Sequence, residues 1–597
     1  MRSLNDLILL SGPESTTEDR RLLAFASWMG VSTKSLSIPA GNDFTPHLLD
    51  AFEPGTYCLA IHAETLAANP SIADAVLQRS GNACSTGLLV FGCTNAEKHL
   101  SAISQLTSGM VCQIQSLDNG AASFSFPREA ACLSRHFAGL GYSGEPGQRI
   151  STFVLRDSTP TAEVIMAANE LPIFLRARGP CEAFLLSTPL PDLNEALEPR
   201  LELKKHYHRL IPLLIFLRHS FGENCWHGPK STARLIIDDP LLTERYGFLD
   251  QNILLKSMER TRSGASIAFI PWNYWRTTRQ NTARLLRENS TFTICVHGCD
   301  HTNKEFEVQD STLLTRKAAL ALQRMEEQHE RTGAAFEPVM VFPQGRFSRA
   351  AITALRSTDY LAAVNSTVFP TDSEAGDLKV CDLLQPAVMN YDGFPIFQRR
   401  YPRELFDFAF DLFLGKPALV VEHHEYFRTG CGPWEEFVAG LYKLDSDLRW
   451  PGLTPQLTRS CRKRKLTSGA LEVQFYTRKF QLENDDQNTK SFLLRKYEPD
   501  SALIESVSVG GKSQAFGFEN GFLKLEVQAD PGETRTIEIV DRERPQPQAN
   551  GFGAIHNAGV LLRRGLSEFR DNTLARHDGL LKIARGVARG LKVTGDA

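Results

Sequence analysis

The sequence predicts a multidomain α/β protein, with a distorted (β/α) barrel between an N-terminal α/β domain and a C-terminal β-sandwich. Three observations predict this fold class. First, 597 residues exceed what one hydrophobic core usually holds, so several domains are expected. Second, apolar runs alternate with amphipathic stretches in two separate regions. Third, short alternating strands with turn signals replace that pattern after about residue 450.

The first region, residues 1–117, contains apolar runs that read as buried strands between helical patterns. The strand candidates are residues 7–10, 57–61 and 87–92. Alternation of strand and helix is typical of a parallel sheet, so we expect a small flavodoxin-like α/β domain. The turn at residues 11–14 lacks the glycine spacing of a dinucleotide or phosphate loop. The apolar run at the N-terminus is too short for a signal-peptide core.

The next two segments link this region to the predicted barrel. Residues 118–200 show short strands and turns and predict a β-rich domain, and residues 201–232 predict a helical linker. His206 and His208 lie two positions apart on that helix, where their rings diverge. We therefore expect this pair to be structural.

Residues 233–450 again alternate strands and helices, which predicts the (β/α) barrel. The strand candidates are residues 235–237, 265–270, 292–296, 339–342 and 418–421. Catalytic residues of such barrels lie at the C-terminal ends of the strands. Residues 451–545 then predict the β-sandwich, and residues 546–597 a helical tail whose terminal residues are loosely held.

Composition narrows the class of function. The chain carries 66 basic and 69 acidic residues, for a net charge of −3, which argues against nucleic acid as the main partner. The basic run between Arg459 and Lys465 is interpreted as a solvated interdomain face. We find no apolar run long enough to cross a bilayer. The twelve cysteines are scattered, so reduced thiols and a cytoplasmic location are expected.

Polar residues follow two of the barrel strand candidates directly. Asp238 and Asp239 come after residues 234–237, where adjacent carboxylates repel each other unless they share a cation or a proton. His297 and His301 come after residues 292–296 and project together if the chain turns helical there. Two imidazoles and one carboxylate suit zinc with an open position for water. A histidine pair satisfied within a loop is the alternative, and Cys299 is an optional further ligand.

Two more strand candidates end in polar clusters. Residues 342–348 carry Arg346, and residues 420–425 carry His423 and His424. In a barrel, all four strand ends converge on one edge. That convergence predicts one functional site more strongly than any single motif does.

This arrangement resembles the polysaccharide deacetylases, also called the NodB-homology or carbohydrate esterase family 4 group, over about residues 233–424. The resemblance implies that Asp238 is the catalytic base and Asp239 the metal-binding carboxylate. It implies that His297 and His301 bind the metal, a divalent ion expected to be zinc. His423 matches the late catalytic histidine, with His424 as the competing choice.

The sequence departs from the family at two supporting positions. Gly298 replaces the hydroxyl residue that helps hold the metal loop. Val341 stands where the family carries an arginine that partners the base, and we expect Arg346 to reach that place from the other side. The match is therefore to a divergent branch of the superfamily.

The resemblance implies a hydrolase that removes N-acetyl or O-acetyl groups from a saccharide, in exopolysaccharide or cell-envelope glycan metabolism. One alternative is a metal-dependent amidohydrolase or glycosidase on the same barrel. Another is a non-catalytic carbohydrate-binding or scaffold protein with a vestigial site. Aromatic side chains near the strand ends could stack on sugar rings or pack in the core; they are Trp272, Tyr274, Trp275, Tyr391 and Tyr426.

Overall fold

The computed structural model describes residues 4–38, 56–80, 87–94, 96–117, 121–145, 150–156, 162–178, 182–199, 203–285, 291–542 and 551–576. Within these ranges, no helix combines the length and the apolar composition needed to span a bilayer. The last part of the predicted helical tail, residues 577–597, lies outside them.

The N-terminal sheet has nine strands in the order β2-β1-β3-β4-β11-β10-β9-β6-β7. The elements of this region are β1 (Asp6–Ser11), α1 (Thr17–Trp28), β2 (Ser32–Ser37), β3 (Tyr57–His62), α2 (Ala63–Ala68), α3 (Ser71–Ser80), β4 (Leu88–Phe91), α4 (Glu97–Leu106), β5 (Val111–Leu117), β6 (Ser123–Ser125), α5 (Ala131–Ser134), β7 (Gly141–Ser143), β8 (Ile150–Leu155), β9 (Ala162–Ala168), β10 (Leu171–Arg178) and β11 (Glu182–Leu186). Strands β2, β1, β3, β4 and β11 are parallel. Strands from both sides of the predicted boundary at residue 117 belong to this one sheet.

A buried helix joins this sheet to the barrel. It is α6 (Tyr207–Phe221), the core of the predicted helical linker. Phe216 contacts Phe184 of β11, and Tyr207 contacts Phe410 of the barrel region. A helix that is apolar on nearly all sides needs packing partners all round, and α6 has them in both units.

The seven-stranded sheet is parallel throughout, in the order β19-β18-β17-β16-β15-β12-β20. The elements of this region are β12 (Ala233–Asp238), β13 (Arg245–Tyr246), β14 (Leu249–Asp250), α7 (Gln251–Thr261), β15 (Ala265–Phe269), α8 (Arg279–Leu285), β16 (Phe292–His297), α9 (Ser311–Thr332), β17 (Glu337–Val341), α10 (Arg349–Arg356), β18 (Ala362–Asn365), α11 (Val380–Leu383), β19 (Ile396–Gln398), α12 (Leu405–Phe413), β20 (Ala418–Glu422), α13 (Gly432–Leu444) and α14 (Leu453–Leu457).

The two edge strands of this sheet nearly meet, so the sheet is a distorted barrel. Arg400, two residues past β19, donates its backbone N–H to the Leu419 carbonyl at 2.8 Å. The Val421 N–H donates to the Arg400 carbonyl at 2.9 Å. The barrel-like parallel sheet that the sequence predicts is confirmed.

Alternation along the strands decides which side chains face the barrel interior. Ile236, Cys295, Phe397 and Leu419 belong to one apolar cluster, whereas Leu235 packs in a second cluster that contains the surrounding helices. Because side chains alternate along a strand, Asp238, His297, Arg399 and His423 continue the interior rows. These four residues stand at the C-terminal ends of their strands, an edge that we call the rim.

The C-terminal strands form two sheets around a common core. The strands are β21 (Cys461–Lys465), β22 (Leu471–Phe475), β23 (Lys479–Glu483), β24 (Lys490–Tyr497), β25 (Ile504–Val509), β26 (Lys512–Ser513), β27 (Gly517–Glu519), β28 (Phe522–Ala529) and β29 (Thr534–Asp541). Their orders are β21-β22-β24-β28-β27 and β23-β29-β25-β26. Val473 and Phe492 of the first sheet share a core with Phe480 and Ile537 of the second.

The basic run lies between this region and the N-terminal sheet. The guanidinium of Arg462 stands 5.0 Å from the ring centre of Trp28 and 5.3 Å from that of Trp226. Arg464 stands 5.1 Å from Trp226. Arg462 and Arg464 therefore pack through cation–π contacts, whereas Arg459 and Lys465 at the two ends of the run are exposed.

The helix α15 (Ala554–Asn572) returns to the barrel and lies across the rim. Its polar side chains face inward: His556 Nε2 is 2.9 Å from Asp300 Oδ2, and Arg276 donates two hydrogen bonds to Glu568. Its outer face is apolar, with Ile555 and Leu562 exposed. This part of the predicted tail is therefore seated on the barrel.

Candidate metal centre

Adjacent aspartates both reach the rim because the backbone changes direction between them. Asp238 ends β12 and faces the interior. Strand alternation would send the next side chain outward, but Asp239 has a φ of 79°. This left-handed conformation is uncommon for a residue with a Cβ atom and is found at strained functional sites. It turns the Asp239 carboxylate toward the rim.

The histidine pair is brought together by a bend, which corrects the expected helical turn. His297 ends β16, and the chain bends at Cys299 and Asp300, with φ of 63° at Gly298 and 56° at His301. The two imidazole centres are 4.9 Å apart. The two positive φ angles therefore bring together two histidines that lie four positions apart in the sequence.

One carboxylate oxygen and two imidazole nitrogens converge on a point. Asp239 Oδ1 lies 3.1 Å from His301 Nε2 and 3.6 Å from His297 Nε2. The three ligand atoms all lie within 4.8 Å of one another. Asp239 Oδ1 is buried and has no hydrogen-bond partner among the described residues. A buried acceptor without a donor, faced by two imidazoles, fits a divalent ion with mixed nitrogen and oxygen ligands.

The imidazole rings of His297 and His301 are both in the state that a metal ligand needs. His297 Nδ1 lies 3.0 Å from the Val341 carbonyl oxygen, which fixes the proton on Nδ1 and leaves the Nε2 lone pair facing the centre. Burial lowers the pKa of His301 to about 4, against the opposing charge of Asp239. His301 is therefore neutral at pH 7, the form that binds a metal.

Glu305, which sequence reasoning missed, stabilises the loop from Gly298 to His301, which we call the metal loop. Its carboxylate accepts the backbone N–H groups of Cys299, Asp300 and His301 at 3.1, 2.9 and 3.0 Å. Lys317 donates to the same carboxylate at 3.0 Å. Glu305 lies four residues past His301 in a segment without apolar periodicity, so no pattern marks it.

The departure at Gly298 has a steric reason. A Cβ atom there would lie 2.4 Å from Pro343 Cγ and 2.6 Å from Glu305 Oε2. A hydroxyl residue at this position would collide with the carboxylate that organises the loop. Glu305 therefore supports the loop in place of that hydroxyl.

The arginine that partners Asp238 is Arg399. Its two terminal nitrogens each donate to one Asp238 oxygen at 2.6 Å, and both side chains are buried. Burial alone would raise the pKa of Asp238, but the charge of Arg399 lowers it to about 2. Asp238 is therefore an ionised, fixed carboxylate at neutral pH.

Arg346 does not reach Asp238, which corrects that expectation. The loop after β17 turns at Gln344 and Gly345, both with positive φ, and the Arg346 guanidinium pairs with Glu307 at 2.7 Å. Arg399 follows the three-residue strand β19, which is too short to stand out as an apolar run. Its place at a strand end is the signal that could have found it.

The two candidate histidines after β20 point in different directions. His423 Nε2 lies 3.9 Å from Asp238 Oδ2, and 37% of its side chain is exposed. His424 is buried, with its Nε2 3.6 Å from Asp571 Oδ1 of α15. Of the two, His423 is the one beside Asp238.

A second group of potential ligands, Cys299, Asp300 and Glu305, already contains its own cations. Arg324 donates to Asp300 at 2.7 Å, and Lys317 to Glu305. These ion pairs satisfy the carboxylates, and Arg324 also donates a hydrogen bond to Cys299 Sγ at 3.2 Å, so the group supports the loop.

Among the aromatic candidates, Tyr391 is buried and Trp275 is half exposed. Trp272 stacks under Arg324, 5.0 Å from its guanidinium. The aromatic ring beside the candidate centre is Tyr401, which sequence reasoning missed. It lies parallel to His423, with ring centres 6.5 Å apart.

No family model and no curated protein sequence matches this chain. Among solved structures, a similar one is the carbohydrate deacetylase Agd3, with 10% identity, a TM-score of 0.45, and coverage of 90% of this chain and 99% of that chain. A family 4 carbohydrate esterase from Streptomyces lividans, in complex with acetate, has 11% identity, a TM-score of 0.23, and coverage of 38% and 95%. A CE4 family pseudoenzyme from Bacillus anthracis has 10% identity, a TM-score of 0.23, and coverage of 38% and 66%. Because these TM-scores lie below 0.5, no function is transferred from these structures.

Proposed function

We propose that this chain is a metal-dependent hydrolase that removes acetyl groups from a saccharide, as the resemblance to polysaccharide deacetylases implies. One observation carries the proposal. Asp239, His297 and His301 converge on one point at the rim, next to an Asp238 carboxylate that Arg399 fixes. A set of metal ligands beside a carboxylate that is held separately supplies the two parts of a hydrolytic centre, a metal site and a general base.

Asp239, His297 and His301 would hold the ion, with zinc the expected metal. When bound there, the ion would act as a Lewis acid that polarises a carbonyl and makes water more acidic. Hydrogen bonds from the loop backbone to Glu305 keep His301 in place, and the Val341 carbonyl keeps the His297 ring in one orientation.

Asp238 is proposed to accept the proton of the attacking water. Both of its oxygens accept hydrogen bonds from Arg399, but each retains a second lone pair for a further donor. His423 is proposed to protonate the leaving group, because its Nε2 stands 3.9 Å from Asp238 Oδ2 and its side chain is partly open to solvent. Arg399 acts through Asp238 and is a positioning residue.

An acetylated saccharide is the proposed substrate, with a role in exopolysaccharide or cell-envelope glycan metabolism. Tyr401, stacked on His423 at the edge of the site, offers a ring face of the kind that sugars stack on. The test is acetate release from a panel of N-acetylated and O-acetylated oligosaccharides by the purified chain.

We expect acetate release with zinc, loss of release with a chelator, and recovery when zinc is restored. Asp238→Asn should abolish it, while Asp447→Asn, a change at an exposed residue away from the rim, should not. Acetate release that persists without metal and in Asp238→Asn would contradict the proposal. So would a wild-type protein that takes up no zinc.

A further inference from the structure

The helix α15 lies directly over the candidate metal centre. The Arg563 Nε–H donates to the His301 carbonyl at 3.1 Å. At the other end of the helix, the Tyr246 hydroxyl donates to Asp571 at 2.8 Å, and Asp571 is also the carboxylate beside His424. The inward face of α15 therefore runs from the metal loop to the segment after β20.

Arg564 lies on that inward face, between these two contacts. Only 2% of it is exposed, and it shares the buried row of α15 with Val560 and Asp571. Its Nε and Nη2 atoms are buried and have no hydrogen-bond partner within the described part of the chain. Arg564 is also close enough to Asp239 and His301 for its positive charge to act on both side chains.

Three carboxylates of the rim and of α15 already have cation partners. Asp238 pairs with Arg399, Glu568 with Arg276, and Asp571 with Arg570. Asp239 is a further carboxylate near Arg564, and its charge is used when it serves as a metal ligand. Burying a guanidinium without an anion costs free energy. The position of Arg564 therefore favours the binding of a negatively charged ligand.

We propose that Arg564 binds the carboxyl group that the reaction generates, first as the oxyanion of the tetrahedral intermediate and then as the acetate product. This inference rests on the proposed function. It adds to the barrel site a residue from a helix that begins more than 100 positions after β20.

The proposed reaction creates negative charge on the carbonyl oxygen and then on the acetate, and Arg564 could bind both. When water attacks, a C–O bond forms and the carbonyl π electrons move onto the carbonyl oxygen. When the C–N bond of an acetamide breaks, the nitrogen keeps the electron pair and takes one proton, which His423 would supply. Asp238 takes one proton of the attacking water, and the second passes to solvent when the acetic acid formed ionises, so the product acetate carries one negative charge. A planar guanidinium can donate two parallel hydrogen bonds to a carboxylate.

A purely structural role, in which Arg564 only holds α15 on the rim, makes a different prediction. Losing such a contact would loosen the helix without a selective effect on anion binding. Glu568 provides a matched control, because it also lies on the inward face and anchors α15 through Arg276. The two variants separate anchoring of the helix from binding of the carboxylate.

The experiment is calorimetric titration of the zinc-loaded full chain with sodium acetate, for wild type, Arg564→Gln, Arg564→Lys and Glu568→Gln. We expect Arg564→Gln to weaken acetate binding at least tenfold and to lower kcat about 10²–10³-fold, with a smaller change in KM. Zinc should bind Arg564→Gln at least as tightly as wild type, because a positive charge next to Asp239 is removed. Glu568→Gln should stay within about twofold of wild type for acetate.

Equal acetate affinity in wild type and Arg564→Gln would overturn the inference, as would equal weakening in Glu568→Gln. If Arg564→Gln does not fold, Arg564→Lys decides: a point charge that restores folding but weakens acetate binding several-fold supports the inference, and unchanged binding overturns it. A wild-type chain that binds no zinc instead contradicts the proposed function.

Discussion

The two terminal nitrogens of Arg399 each lie 2.6 Å from a different oxygen of Asp238. Both partners are buried, so removing one leaves an uncompensated charge inside the barrel. We expect Arg399→Met to lower the free energy of unfolding by about 3–5 kcal/mol and to reduce acetate release at least 100-fold. Chemical denaturation and the acetate assay measure the two effects.

Arg346→Met is the matched control for this variant. Arg346 also pairs with a carboxylate, Glu307, but its side chain is 47% exposed. Exposed pairs contribute about 0–1 kcal/mol, so this variant should unfold close to wild type. Equal destabilisation by the two substitutions would contradict the assignment of Arg399 as the partner of Asp238.

The metal ligands make a second prediction. Asp239→Asn keeps the size of the side chain but removes the charge on the buried oxygen that faces both imidazoles. We expect wild type to take up one zinc ion per chain and Asp239→Asn to bind it at least 100-fold more weakly, by titration against a competing chelator. Asp300→Asn offers a contrast, because Asp300 pairs with Arg324; its zinc stoichiometry should remain at one ion per chain.

A hydroxyl residue at position 298 should damage the candidate site. In Gly298→Ser, the new Cβ would meet Pro343 and Glu305 at 2.4 and 2.6 Å, so the metal loop must shift. We expect weaker zinc binding and lower activity. Gly333→Ser controls for the positive φ alone, since φ is 76° there and nothing lies within 4 Å of the new atom. Gly333→Ser should lower the free energy of unfolding by about 1–2 kcal/mol and leave zinc binding intact. Intact zinc binding in Gly298→Ser would contradict the steric explanation for the glycine at position 298.

Acid should destabilise the fold through a buried histidine of α6. His208 stacks on Phe124, with ring centres 5.3 Å apart, and burial lowers its pKa from 6.5 to about 3. Between those pH values the unfolded chain binds the proton and the folded chain does not. The free energy of unfolding therefore falls as pH drops through this window, by up to about 1.4 kcal/mol per pH unit.

His208→Phe removes this contribution. Denaturation curves at pH 8, 6 and 4.5 should show a shallower loss of stability in the variant than in wild type. At pH 8 the histidine is neutral in both states, so the difference there reports packing alone. Parallel pH curves for the two proteins would rule out His208 as a source of the acid sensitivity.

The sequence indicates the barrel and the candidate metal ligands at its strand ends because those features are local. Asp238 and His297 each end an apolar run, and strand ends of a barrel converge on one edge. The resemblance then assigns their roles. Neither the apolar runs nor the resemblance describes how Asp239 turns inward, because a φ of 79° is a property of the folded loop.

The supporting residues depend on contacts between distant segments. Arg399 reaches Asp238 across 161 positions, and Glu305 acts through backbone groups that become available once the metal loop has bent. Arg564 lies on a helix whose large apolar residues face outward, apart from Val560, which is the reverse of the usual pattern. Hydrophobic periodicity therefore indicates that α15 is a helix but not which face meets the barrel.

The position of α15 in the chain also has a consequence for biosynthesis. About 130 positions separate the end of β20 at Glu422 from the start of α15 at Ala554. At a ribosomal rate of about 5–20 residues per second, the helix follows the barrel by roughly 7–26 seconds. During that interval the nascent barrel carries its histidine pair uncovered. If the rim holds the proposed metal ion, that ion can therefore bind during translation, before the helix that covers the rim is made.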